Sequence, residues 1–242
     1  MNIDQHAIVS RDQWLAARKQ HLEEEKAFTR ERDRLSAQRR ALPWVKVDKA
    51  YHFQGPEGSL NLADLFGERS QLVVYHFMYS PDWDQGCTGC SFLSDHLDGA
   101  NQHLAHHDVA LVAVSHAPLA QLLAFKQRMG WQFDWVSSWR SDFDEDFEVA
   151  ASEAQKASGS MTYNYEPMAA QGEMPGLSVF YKNPAGEIFH TYSAYARGLD
   201  ILVGTYNYLD LTPKGRNEEQ IMDWVKLHDQ YEGAATGGCC HH

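Results

Sequence analysis

The sequence lacks the marks of several large protein classes. It has only 4 cysteines among 242 residues, too few to hold together a disulfide-stapled secreted domain. Positive charge is short: 21 Lys and Arg stand against 33 Asp and Glu, a net charge of −12. An acidic chain repels a phosphate backbone, which argues against nucleic acid as the main partner. No apolar run exceeds Leu72–Tyr79, and His76 interrupts that one. A membrane-spanning helix needs about 20 apolar residues. The first twenty residues hold neither an apolar signal core nor a small-residue cleavage site. We therefore expect a soluble, unexported protein with no membrane partner, working in the reducing cytoplasm. What the chain does have is an average soluble composition, 43% hydrophobic and 22% charged, which excludes collagen and wholesale disorder. At roughly 150 residues per domain, its length allows one to two domains.

Gly and Pro are absent from Ser10 to Leu42, where apolar residues recur at helical steps and charges of both signs alternate. The spacing predicts one long solvated helix, with Ser10 and Gln13 as a capping box. We expect an arm over residues 1–43, a compact domain over 44–232 and a flexible tail over 233–242. The arm is a candidate for joining two copies into a homodimer. Within the domain, Leu72–Tyr79 and Val109–Ser115 read as strands buried on both faces. Leu177–Tyr181 and Glu187–Tyr192, around the turn Asn183–Gly186, read as a hairpin. Helices are expected over Ser91–Ala105, Pro118–Met129 and Glu218–Tyr231. The segment from Ser141 to Gly172 shows no periodic element and reads as an insertion or mobile loop.

The feature with the most chemistry is Cys87-Thr88-Gly89-Cys90, directly after a strand and at the start of a helix. Unpaired N–H groups at a helix N-terminus favour a thiolate. The three-residue step brings both sulfurs onto one helical face, so one can attack a disulfide and the other resolve the product. Asp82 and Asp84 flank Trp83 just upstream, and their charge would oppose the thiolate if close. Arg197 offsets them if it reaches the site, and otherwise makes a surface pair. His76 reads as a hydrogen-bonded core histidine, and Trp131 and Trp135 as core. The tyrosines Tyr163, Tyr165, Tyr192 and Tyr195 are candidates for a groove lining. The CCHH end, with Cys239 and Cys240, offers soft-metal donors, a terminal redox pair, or neither.

Several runs carry a family resemblance, among them YHFMYSPDW (75–83), GCTGCSF (86–92), RMGWQF (128–133) and HTYSAYARGLD (190–200). With similar runs they span Trp14 to Tyr231. The chain resembles the thioredoxin-like family catalogued as domain of unknown function 899, whose members are regarded as dithiol-disulfide oxidoreductases. The resemblance implies an α/β thioredoxin-like fold, in its peroxiredoxin-like variant, preceded by the helical arm. It implies that Pro175 opens a strand beside the dithiol, where related proteins have a cis proline. The backbone of Met174 would then hold an extended substrate strand. Two departures stand out. Gly86 replaces the tryptophan that precedes the first cysteine in thioredoxin. Asp84 stands three residues before Cys87, where peroxiredoxins carry a Thr or Ser that assists the peroxide.

These readings predict thiol–disulfide exchange, with Cys87 attacking and Cys90 resolving. Trp83, Met174, Pro175 and Arg197 form the substrate side. The partner would be a disulfide-containing protein or a small-molecule thiol, and an electron-donating thiol system would recharge the pair. No metal and no organic cofactor is expected. The alternatives are a thiol peroxidase, and a non-catalytic metal-binding or interaction module on the same fold.

Overall fold

The computed structural model describes residues 6–233, so Cys239, Cys240 and the rest of the CCHH end lie outside the described residues. Helix α1 spans Arg11–Arg40. The Ser10 hydroxyl accepts the Gln13 amide, and the Gln13 side chain accepts the Ser10 amide, closing the expected capping box. The helix buries none of its residues, and Trp14, Phe28 and Leu35 stay exposed. Lys26–Glu23 and Arg34–Glu31 pairs lace its surface.

The strands are β1 Val45–Lys46, β2 His52–Gly55, β3 Gly58–Asn61, β4 Gln71–His76, β5 Val109–Ser115, β6 Asp134–Ser137, β7 Ser160–Tyr163, β8 Glu166–Ala169, β9 Gly176–Lys182 and β10 Ile188–Tyr195. Eight form one sheet in the order β1-β10-β9-β4-β5-β6-β2-β3, and β7 and β8 form a separate hairpin. β4, β5 and β6 run parallel, whereas β9 is antiparallel to β4 and to β10. The helices are α2 Thr88–Ser94, α3 Leu97–His106, α4 Leu119–Met129, α5 Phe143–Asp146, α6 Glu153–Ser158 and α7 Gly204–Leu209. The unit β4–α2–α3–β5 with the β9–β10 hairpin, in spatial order β10-β9-β4-β5, is a thioredoxin-like fold. β6 and the β2–β3 hairpin widen its sheet on one side.

Side chains alternate across a strand, so each strand supplies both faces of the sheet. Tyr75 and Phe77 join Leu111, Ala113 and Trp135 under α2 and α4, with Cys90, Phe92 and Phe125. Leu72 and Val74 join Ala110, Val112 and Val114 on the other face, with Phe53, Phe66, Phe143 and Phe180. The two continuous apolar runs read from the sequence are these two-sided strands.

Three expectations need correction. The helix after the dithiol begins at Thr88, not Ser91, and breaks at Asp95–His96. There the Asp95 carboxylate accepts Trp131 Nε1 at 2.8 Å and contacts His228 Nδ1 at 2.7 Å, so tertiary contacts set the break. Residues 141–172 are not a structureless loop: they form α5, α6 and the β7–β8 hairpin. Phe143 is fully buried against the sheet, and Val149, Ala151, Met161 and Tyr163 pack with Tyr195 as a small core of their own. The segment 218–231 is not a helix but a chain of turns ending in the 3-10 turn His228–Gln230. Its amides are satisfied locally instead: Glu219 and Gln220 donate to Asp223, and Met222 donates to Glu218. This lets Trp224 reach Phe92 of α2, their rings 5.5 Å apart.

If residues 141–172 are part of the core, Phe143→Ala is expected to cost about 3–5 kcal/mol, the range for truncating a fully buried Phe. Urea unfolding would check this. A change under about 1 kcal/mol would return the segment to a loop.

Candidate active site

The thiol site grows out of the carboxyl end of β4. Phe77 N–H still donates to Val114 O at 2.9 Å, and the chain then loops until Cys87 N–H donates to Met78 O at 3.1 Å. That bond ties the first cysteine back to the strand end. Ser91 donates to Cys87 O from both its amide and its hydroxyl, each at 2.9 Å, and so starts α2. Gly86 has no space for a side chain. A Cβ there would stand 2.7 Å from Phe77 Cε1 and 2.8 Å from Phe125 Cε1. A residue as large as tryptophan is excluded by this packing. Gly89 is covered from outside by the C-terminal turns: its Cβ would meet Met222 Sδ at 3.0 Å and Cys87 Sγ at 3.9 Å.

Both cysteines are free thiols, Cys87 half-buried and Cys90 buried. Their acidities diverge. Hydrogen bonding from Cys90 holds the Cys87 thiol at about 6, against the cost of burial, with further help from the Cys90 and Gly89 amides. Those amides act as dipoles; no regular side-chain capping bond closes at Cys87. The helix start therefore contributes as expected, but the partner thiol contributes more. Cys90 goes the other way. Burial, and then the neighbouring Cys87, push its thiol well up. The arrangement is an accessible thiolate supported by a buried thiol.

The candidate substrate-side residues divide. Trp83 is half-buried against the α4 side of the core, and its carbonyl accepts the Gln121 side chain. Met174 donates its amide to Val149 O at 2.7 Å and packs on the small inserted core. Pro175 O accepts the Tyr163 hydroxyl at 2.7 Å, and that hydroxyl also accepts the Ala196 amide at 2.9 Å. Burial raises the Tyr163 phenol above its ordinary value, and its ring packs with Val149, Met161 and Tyr195. No peptide bond among the described residues is cis, so Met174–Pro175 is trans, unlike the proline of related proteins. Arg197 turns to solvent and pairs with Asp200 at 3.1 Å. Asp82 and Asp84 are exposed.

Sequence reasoning did not single out Tyr75 or Met222, and took Tyr163 only as a groove candidate. Tyr75 lies on β4 beneath α2, in the same buried cluster as Cys90. A tyrosine inside an apolar strand was the available signal, since a buried phenol needs a polar partner.

A second polar system occupies the opposite face of β4. His76 Nε2 meets Ser178 Oγ at 2.9 Å, Ser178 meets Ser193 at 2.9 Å, and Ser193 meets His190 Nε2 at 2.8 Å. Asp144, 4% exposed, bonds Ser138 and lies 3.6 Å from His116 and 3.9 Å from His76. Burial alone would raise its carboxyl, but these partners outweigh it and hold it at about 2. His76 is thus the core histidine read from the sequence. Asp144 shares a 360 Å³ cavity with Ser80, Asp82, His116, Lys156 and Glu173. Glu173 is left without such partners. Burial, then the charges of Asp144 and Asp82, push its carboxyl up to about 9. Among the described residues, no group of three His, Cys, Asp or Glu side chains is placed to hold a metal ion. No described helix is long and apolar enough to cross a membrane.

A family profile described as "Bacterial protein of unknown function (DUF899)" matches residues 3–231. The chain belongs to the DUF899 family. No curated protein matches it. Among solved structures, this DUF899 chain is similar to peroxidoxin BcpB from Mycobacterium tuberculosis at 12% identity and a TM-score of 0.41, over 69% of this chain and 96% of that one. The bacterioferritin comigratory protein of Xanthomonas campestris aligns at 15% identity and a TM-score of 0.41, over 66% and 94%. The mitochondrial 2-cys peroxiredoxin of Plasmodium falciparum aligns at 13% identity and a TM-score of 0.39, over 69% and 94%. Function in the DUF899 chain is therefore read from its own site.

Two measurements test that site. Alkylation of Cys87 against pH should show a midpoint near 6, and Cys90→Ala should move it up by at least one unit, because the largest stabilising donor is gone. A midpoint near the free-thiol value of about 8.5 would refute the arrangement. Glu173 gives a pH-dependent stability with the opposite sign to a paired carboxylate. Its folded-state pKa of about 9 lies above the ordinary 4.5. Its contribution is complete below about 4.5 and is lost as pH rises toward 9. Glu173→Gln should therefore raise Tm at pH 8.5 more than at pH 5, and an equal change at both would count against a neutral buried carboxyl.

Proposed function

We propose that the protein is a thiol–disulfide oxidoreductase acting through Cys87 and Cys90. The observation that carries this reading is the asymmetry of the pair. A half-buried sulfur held as thiolate near neutral pH rests against a buried sulfur held as thiol. Cys87 thiolate attacks one sulfur of a substrate disulfide. The substrate S–S bond breaks, and its electron pair leaves on the released thiolate. Cys90 then attacks Cys87, forming the intramolecular disulfide and releasing the second substrate thiol. Two electrons pass from the protein to the substrate, and sulfur alone carries them, so the step requires no metal or organic cofactor.

Trp83 and the Met174–Pro175 backbone border the space through which the substrate sulfur approaches. The substrate is a disulfide of a protein or a small molecule, and an electron-donating thiol system of a reducing compartment, such as the cytoplasm, returns the pair to its reduced state. Peroxide reduction has less support here, since the position three before Cys87 carries the exposed carboxylate of Asp84.

The test is exchange with a disulfide substrate in the presence of a recycling thiol. Cys87→Ser should abolish turnover. Cys90→Ser should stop after one attack and accumulate a mixed disulfide at Cys87, visible as added mass in intact-protein mass spectrometry. Equal turnover by Cys87→Ser and wild type would end this reading, and faster consumption of peroxide than of disulfide would replace it with the peroxidase.

A further inference from the structure

We propose that Met222 is a specificity-determining residue of the thiol site, its thioether contacting the group carried by the attacked sulfur of a substrate disulfide. Disulfides with an apolar, above all aromatic, group at that place are favoured. The inference rests on the dithiol reading above and deepens it.

Two distances bring Met222 to the dithiol. A Cβ placed on Gly89 would stand 3.0 Å from Met222 Sδ and 3.9 Å from Cys87 Sγ. The two sulfurs therefore border one point above Gly89, and the bare glycine lets the thioether close down on that side of Cys87. Both residues are half-buried, so both stay reachable from solvent.

The backbone of Met222 is fixed in an uncommon shape. Its φ is 64°, in the left-handed region that glycine accepts freely and a side chain of this size rarely adopts. The surroundings hold it there. Its amide donates to Glu218 Oε2 at 3.1 Å, and the same oxygen accepts the hydroxyl of the fully buried Tyr206 at 3.1 Å. Its carbonyl accepts the Val225 amide at 3.1 Å. On either side in sequence, Tyr206 and Trp224 pack edge-on against Phe92 of α2, at 5.4 and 5.5 Å, and Leu227 is fully buried. A bulky side chain is thus kept beside the reactive sulfur against local preference, and an outlier of this kind points to a role in the site.

The chemistry gives that side chain a use. Attack on a disulfide runs in line: the Cys87 sulfur, the attacked sulfur and the departing sulfur share one axis. The group on the attacked sulfur projects sideways from this axis, over the surface next to Cys87. On the Gly89 side that surface is Met222. A thioether presents no charge and no hydrogen-bond donor, is flexible and polarizable, and makes favourable contacts with aromatic rings. Met222 exchanges no electrons. The bond from Cys87 to the substrate forms, the substrate S–S bond breaks, and its electron pair leaves on the departing sulfur.

The experiment compares dipyridyl disulfide, which is aromatic, with hydroxyethyl disulfide, which is small and aliphatic. Each is mixed with the reduced full chain, and loss of the free Cys87 thiol is followed by quenched alkylation and peptide mass spectrometry. Met222→Gly suits the backbone and removes the thioether. We expect the ratio of the aromatic to the aliphatic rate constant to fall about fivefold, the scale of a sulfur–ring contact. The pH midpoint of Cys87 alkylation should stay at its wild-type value. An unchanged ratio would overturn the proposal by leaving Met222 as packing alone. A moved midpoint would overturn it by making Met222 a group that acts on the thiolate. Should Met222→Gly fail to fold, Met222→Gln keeps the length and puts an amide in place of the thioether. The same fall in the ratio is expected there, and its absence would overturn the proposal. If wild-type Cys87 reacts with neither disulfide, the dithiol reading falls and this inference with it, whereas a reactive Cys87 with an unchanged ratio removes this inference alone.

Discussion

Strand β4 is buried on both faces, and its alternation positions the chemistry of the molecule. Tyr75 packs beneath α2 in the cluster that holds Cys90, and His76 points to the far face, where Asp144 and the Ser178–Ser193–His190 chain meet it. A shift of one residue in the register of β4 would exchange these two polar groups between faces. The pairing of β4 with β5 on one side and β9 on the other holds that register along its whole length. The dithiol loop then begins where the strand stops, and Cys87 is tied back to it through Met78 O.

Burial by itself does not set the charge of a group in this protein; the donors that accompany burial do. Two sulfurs three residues apart show this. Cys87 has a thiol and two amides around it and is held as a thiolate, whereas Cys90 sits deeper and stays protonated. Two carboxyls repeat the pattern across the sheet. Asp144 is the more buried, yet it is ionised because His116, His76 and Ser138 surround it. At Glu173 burial and the like charges of Asp144 and Asp82 outweigh the opposing Lys156, and its carboxyl is held up at about 9. The charge of Asp82, a concern for the thiolate when read from the sequence, bears on Glu173 instead.

Much of the frame was legible. Val109–Ser115 was read with its observed ends, because a run of seven apolar or small residues bounded by turn signals has no other reading at that length. Ser10 and Gln13 announced the start of α1, and Asn183–Gly186 announced the β9–β10 hairpin. The inserted segment was illegible, since Phe143, Phe147, Val149 and Met161 follow no period. They are buried by the sheet face and by Tyr195, which lie elsewhere in the chain. The final turns misled for the opposite reason. Met222, Trp224, Val225 and Leu227 have a spacing that a helix would tolerate, but side-chain carboxylates of Glu218 and Asp223 take up the amides and redirect the chain over α2.

The sequence by itself determined that a C-x-x-C stands between a buried strand and a helix, and therefore that two sulfurs share one helical turn. It also determined the two continuous apolar runs that become strands buried on both faces. Only the tertiary structure decided what surrounds those sulfurs. Tyr75 and Met222, distant in the chain, pack around the dithiol, while Arg197, a candidate from the sequence, turns to Asp200. Local spacing encodes contacts within a turn or along a strand. Convergence across the sheet depends on register and packing, which are properties of the folded chain as a whole.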